Sequence, residues 1–159
     1  MRFTHIISVT AAMAVFASLV FAGPSPADKS TENARLLKSV AADAHRIRLA
    51  AAEFQNLTKS PTATWQQYDR QWNEIQPAVE MLGRKITRLE AMESSLTAEQ
   101  KQALTQSKAD YQKISWQSRE LGKLVDMVPP NLQSHKLKIE TRELVNEAGD
   151  IAHAVKSGA

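Results

Sequence analysis

Apolar residues recur at alternating intervals of three and four along most of this chain, and no other feature restricts its fold so strongly. Leu37, Val40, Ala44, Ile47, Ala51 and Phe54 form a first run. Trp65, Tyr68, Trp72, Ile75, Val79, Leu82, Ile86 and Leu89 form a second, without a break. The third is Leu104, Ser107, Tyr111, Ile114, Ser118, Leu121, Val125 and Val128, and the fourth is Leu137, Thr141, Leu144, Ala148, Ile151 and Val155. A stripe that returns every three and a half residues lies on one face of an α-helix and is buried by neighbouring helices at shallow crossing angles. Period-two alternation never persists over a useful length, so strands are not expected.

The punctuation between the stripes sets their number. Lys59-Ser60-Pro61, Glu93-Ser94-Ser95 and Val128-Pro129-Pro130-Asn131 cut the sequence into four segments. Ser60 followed by Pro61 reads as a helix N-cap with proline in the first helical position. Thr97 and Gln100 have the spacing of a capping box, and the Pro129-Pro130 pair forces the preceding residue out of helical conformation. These signals predict an all-α fold with helices at about residues 30–57, 62–92, 97–127 and 131–157. Similar lengths and short connections make neighbours antiparallel, giving an up-down-up-down bundle about 40 Å long. The alternative is two extended helical hairpins that complete their core as a homodimer. Pro77 falls inside the second helix, almost opposite its stripe, where it is expected to curve the helix without ending it.

The N-terminus carries a different signature. A single cationic residue, Arg2, precedes a charge-free run from Ile6 to Phe21, and Val20-Phe21-Ala22 supplies small residues at a cleavage position. The pattern predicts a secretory signal over residues 1–22, cleaved after Ala22, followed by a linker over 23–29. The apolar run is shorter than the roughly 20 residues that span a bilayer, so membrane contact is expected only through an uncleaved signal. Without cysteine, disulfides, thiolate metal sites, thiol catalysis, lipid attachment to cysteine and covalent Cys-x-x-Cys-His haem are excluded. The chain carries a formal +3, Arg2 included, which leaves +2 beyond the signal. Interspersed charges of that size describe a solvated surface and not a nucleic-acid footprint. An exported protein, periplasmic or secreted and of bacterial type, is the expectation. Asn56-Leu57-Thr58 matches a glycosylation acceptor pattern that one chance occurrence explains.

Residues that carry chemistry are sparse. His45 and His153 project well away from their stripes, and His135 opens the fourth segment. Asp150 and His153 have ligand-like spacing but face outward, and the paired Glu-x-x-His motifs of a di-iron bundle are absent. Met81, Met92 and Met127 all lie off their stripes, which disfavours axial ligation of a non-covalent haem. No nucleophile elbow, phosphate-binding glycine loop or His-Glu-x-x-His motif occurs. The expectation is a non-enzymatic protein without metal or cofactor that acts by binding, with a bundle that binds a small ligand, haem or a metal as a further alternative.

Two groups stand out as candidate sites. Phe54, Trp65, Tyr68, Trp72 and Leu121 converge on one end of the bundle, as an aromatic core layer or as an apolar pocket. Trp116 points away from its stripe among Gln112, Lys113, Glu120 and Lys123. With Met127, Leu132, His135 and Ile139 it marks a candidate interaction surface for a protein partner or a second copy.

Leu96-Thr97-Ala98-Glu99-Gln100 is similar to the Leu-Thr-x-x-Gln motif of periplasmic stress chaperones of the Spy and CpxP type. Those proteins carry the motif twice, and this chain carries it once. The resemblance implies an alternative function: an envelope chaperone that holds unfolded clients on an amphipathic helical surface.

Overall fold

A computed structural model describes residues 26–126 and 135–158. The signal segment with its cleavage position, the Pro129-Pro130 stop, Met127, Val128 and Leu132 lie outside the described residues. The described chain is helical, with α1 over Pro26–Leu57, α2 over Trp65–Ala91, α3 over Ala98–Val125 and α4 over His135–Gly158. A single 3-10 turn, Glu93–Ser95, separates α2 from α3. α1 begins inside the stretch read as linker. Proline is tolerated there because a first-turn N–H has no intrahelical partner to lose.

The start of α2 corrects one sequence expectation. Ser60 and Pro61 do not cap it; they belong to the turn that closes α1, where the Ser60 N–H donates to the Leu57 carbonyl at 3.0 Å. The N-cap is Thr64, whose backbone is extended and whose N–H donates to Gln67 Oε1 at 2.8 Å. Thr64 and Gln67 have the same spacing as Thr97 and Gln100, and stand directly before the aromatic run. At α3 the expected box forms. The Thr97 N–H donates to Gln100 Oε1 at 3.1 Å, and the Gln100 N–H to Thr97 Oγ1 at 3.3 Å. α2 runs on through Pro77, which is exposed while Ile75 and Val79 are buried.

Cross-helix contacts fix the topology. Early α1 meets late α2 where Arg88 pairs with Glu32 at 2.6 Å and Lys85 with Asp43 at 2.5 Å. Asn33 Nδ2 reaches past α2 to the Ser95 carbonyl at 3.0 Å. Between α2 and α3, Tyr111 lies against Gly83 and Trp72 against Gly122, so one register rises as the other falls. α3 and α4 run oppositely too, with Lys136 on Glu120 at 2.8 Å and Lys113 on Glu147 at 3.0 Å. α4 returns along α1, and the four helices close into an up-down-up-down bundle within one chain. Its core is the four stripes. Every member named for α1 and α4 is buried, as are those of α2 from Tyr68 to Leu89.

Two of the described members depart from the pattern. Trp65 is 43% exposed. As the first residue of α2 it lies beyond the last core layer, and its indole Nε1–H donates to the Val125 carbonyl at 3.3 Å, satisfying an end group of α3. Tyr111 is half-buried, its ring end filling the space beside Gly83.

Candidate functional site

Charged and amide side chains line the seam between α3 and α4. On α3 the inward edge carries Asp110, Lys113, Gln117 and Glu120; on α4 it carries Glu140, Glu143 and Glu147. Asp110 is buried and accepts from Gln106 Nε2 at 2.8 Å and from Lys113 Nζ at 3.1 Å. Lys113 bridges it to Glu147. The hydrogen bond to Glu147, then that to Asp110, raises the Lys113 pKa and keeps the ammonium charged. Further along, Lys123 and Lys136 both bond Glu120 and hold its carboxyl down to about 2. Burial does the opposite at Glu140, raising its pKa, and the neighbouring Glu143 adds to the rise. Carboxylates outnumber cations along this seam.

Trp116 stands over it. Half of its surface is exposed, in contrast to Tyr68 and Trp72. With Gln112, Lys113, Gln117, Glu143 and Glu147 it lines an open groove of about 530 Å³. The indole supplies an apolar, electron-rich face, Glu143 and Glu147 supply negative charge, and Gln117 lies buried among them. Such a groove offers cation–π contact and carboxylate hydrogen bonding side by side.

Of the other residues in the candidate surface, His135 is exposed and Ile139 half-buried on the first turns of α4. Neither lines the groove, because the Lys136–Glu120 pair places that part of α4 beside a later turn of α3. Met127 and Leu132 lie outside the described residues. Gln117, Glu143 and Glu147 were not singled out by sequence reasoning. The available signal was the edge row Lys136, Glu140, Glu143 and Glu147, spaced four, three and four beside the stripe of α4.

The aromatic group forms a packed layer. Phe54, Tyr68 and Leu121 are fully buried and Trp72 nearly so. The Phe54 and Tyr68 rings meet edge to face with centroids 5.2 Å apart, and burial pushes the Tyr68 phenol up. Trp65 stands apart from this layer at the surface. His45 and His153 are both exposed and share a shallow basic groove with Arg48 and Lys156 between α1 and α4. Among the described residues no three His, Asp or Glu side chains converge as a metal site. The Leu-Thr-x-x-Gln segment acts locally, since Leu96 is buried and Thr97 and Gln100 cap α3.

No known family model, curated protein or solved structure matches this chain.

Proposed function

We propose that this is an exported, non-enzymatic interaction protein that engages a protein partner through the Trp116 groove in the cell envelope. The observation that carries the reading is the exposed indole. The bundle buries Tyr68 and Trp72, yet leaves Trp116 half-exposed above a polar seam. Tryptophan in a groove rimmed by polar groups is the common anchor of protein interfaces. The sequence supports the rest: a signal-like N-terminus, no catalytic motif and a modest mixed charge. Among the described residues no helix is long and apolar enough to cross a membrane.

The test is photo-crosslinking in the producing cell, with p-benzoylphenylalanine in place of Gln112 on the groove wall. The expected result is a discrete adduct, identified by mass spectrometry, that disappears when Trp116→Ala is added. A crosslinker in place of exposed Leu49 serves as the control. An adduct of twice the chain mass would make the partner a second copy. No adduct, or one indifferent to Trp116→Ala, would refute the reading.

A further inference from the structure

Gln117, one of the residues lining the groove, carries an unmatched hydrogen-bonding group. Gln117 is 4% exposed, and its Nε2 donates to Glu143 Oε2 at 3.3 Å. Its carbonyl Oε1 is buried and has no hydrogen-bond partner among the described residues. The amide cannot turn over to escape this, since an ionised carboxylate only accepts and the flipped amide would set oxygen against oxygen. A buried acceptor left unmade is costly, so a donor that reaches it as the Gln117 side chain shifts gains from the contact.

The charges define that donor. Lys113 is committed to Asp110 and Glu147, whereas Glu143 forms no ion pair among the described residues. The residues that bear an unpaired carboxylate, an unmatched amide oxygen and an exposed indole therefore line one groove. A planar cation bearing several N–H groups satisfies all three: it stacks on the indole, bonds the carboxylate and donates to the amide. A compact ammonium lacks the flat face, and a quaternary ammonium lacks the donors. Sites for free small molecules enclose most of their ligand. This groove is open along the seam, which suits a side chain delivered by a chain lying across α3 and α4.

Building on the reading of the groove as an interaction surface, we propose that it receives an arginine side chain from a basic segment of the partner protein. The guanidinium rests on Trp116 and bonds Glu143, and Gln117 Oε1 accepts from it as the Gln117–Glu143 contact loosens.

The test uses the protein as its cell produces it, labelled with 15N and titrated with acetylated, amidated Gly-Arg-Gly. The lysine and citrulline versions of that peptide are the comparisons. Trp116→Phe assigns the indole N–H signal of Trp116 against those of Trp65 and Trp72. The arginine peptide should move the Trp116 signal saturably, the lysine peptide should bind more weakly, and the uncharged citrulline peptide should leave the signal in place. Glu143→Gln should weaken arginine binding about tenfold, the loss of one charge-assisted bond, with the Trp65 and Trp72 signals unmoved as proof of folding. Equal responses to arginine and citrulline, no response, or indifference to Glu143→Gln overturns the proposal. If the Gln112 adduct forms while arginine has no effect, the partner reading stands and the guanidinium assignment falls. If arginine binds but no adduct forms, the protein source is overturned.

Discussion

Trp72 occupies the space that a side chain on Gly122 would need: a Cβ there would lie 2.8 Å from the indole Cζ2. Trp72 is almost wholly buried and has nowhere to retreat. A Cβ on Gly83 would come closer still, 2.1 Å from the Tyr111 hydroxyl oxygen. Tyr111, however, is half-buried beside a groove between α2 and α3 and can swing outward. The expected order therefore reverses the order of the distances. Gly122→Ala should cost about 1–3 kcal/mol through overpacking. Gly83→Ala should be nearly neutral, because alanine regains about 1 kcal/mol of helix propensity. Thermal melts of the two variants decide this, at roughly 3–5 °C per kcal/mol. A Gly83→Ala variant as damaged as Gly122→Ala would show that Tyr111 is held in place.

The aromatic end of the bundle makes a second contrast. Phe54 is fully buried against Tyr68, so Phe54→Ala should cost about 3–5 kcal/mol. Trp65, larger but 43% exposed, should cost much less on truncation, mainly through its bond to the Val125 carbonyl. Trp116→Ala should change stability by no more than about 0.5 kcal/mol, as a surface position does. Denaturant titration of the three variants measures the order. A Trp116 variant as unstable as the Phe54 one would make that indole a structural residue.

The contrast between these aromatics also marks how far the sequence could be read. Periodicity located the core because burial on a helix depends on local spacing, and Leu37 through Phe54 are buried as their intervals require. It misplaced Trp65 because spacing cannot tell where a core layer ends. Proline biased the start of α2 towards Ser60 and Pro61, although Thr64 and Gln67 offered a cap at the same spacing as Thr97 and Gln100. The groove was only half visible. Trp116 was conspicuous on its own charged face, but its pairing with Glu143 and Glu147 depends on the rotation and stagger of α3 against α4. No single-helix pattern encodes that relationship. The same holds for His45 and His153, which share one groove although each reads alone as a surface residue.

Glu120 and its two lysines predict an acid-sensitive clasp between α3 and α4. Its folded pKa is lowered to about 2, so the pairing contributes stability above the ordinary glutamate range and loses it as pH falls towards that value. Glu120→Gln should lower the thermal midpoint near neutral pH and have little effect at about pH 2. Because Lys123 and Lys136 are exposed, added salt should shrink the neutral-pH difference. A difference independent of both pH and salt would mean that packing, not charge, accounts for it.

Glu140 should behave in the reverse sense. It is 5% exposed, and burial first, then the nearby Glu143, raises its pKa. Lys136 opposes the shift and Glu120 adds to it, without changing its direction. A carboxyl whose pKa rises on folding favours the folded state below its unfolded pKa, and that contribution is lost as pH climbs through the folded value. Above the ordinary glutamate range the bundle is therefore less stable than it would be with an uncharged residue at this position. Glu140→Gln removes the charge while keeping the shape, so it should raise the midpoint at about pH 7. The gain should vanish near pH 3, where glutamate is itself uncharged. Melting both proteins by circular dichroism across that range tests the sign directly. A variant less stable than the parent at neutral pH would mean that ionised Glu140 has a stabilising partner along the seam.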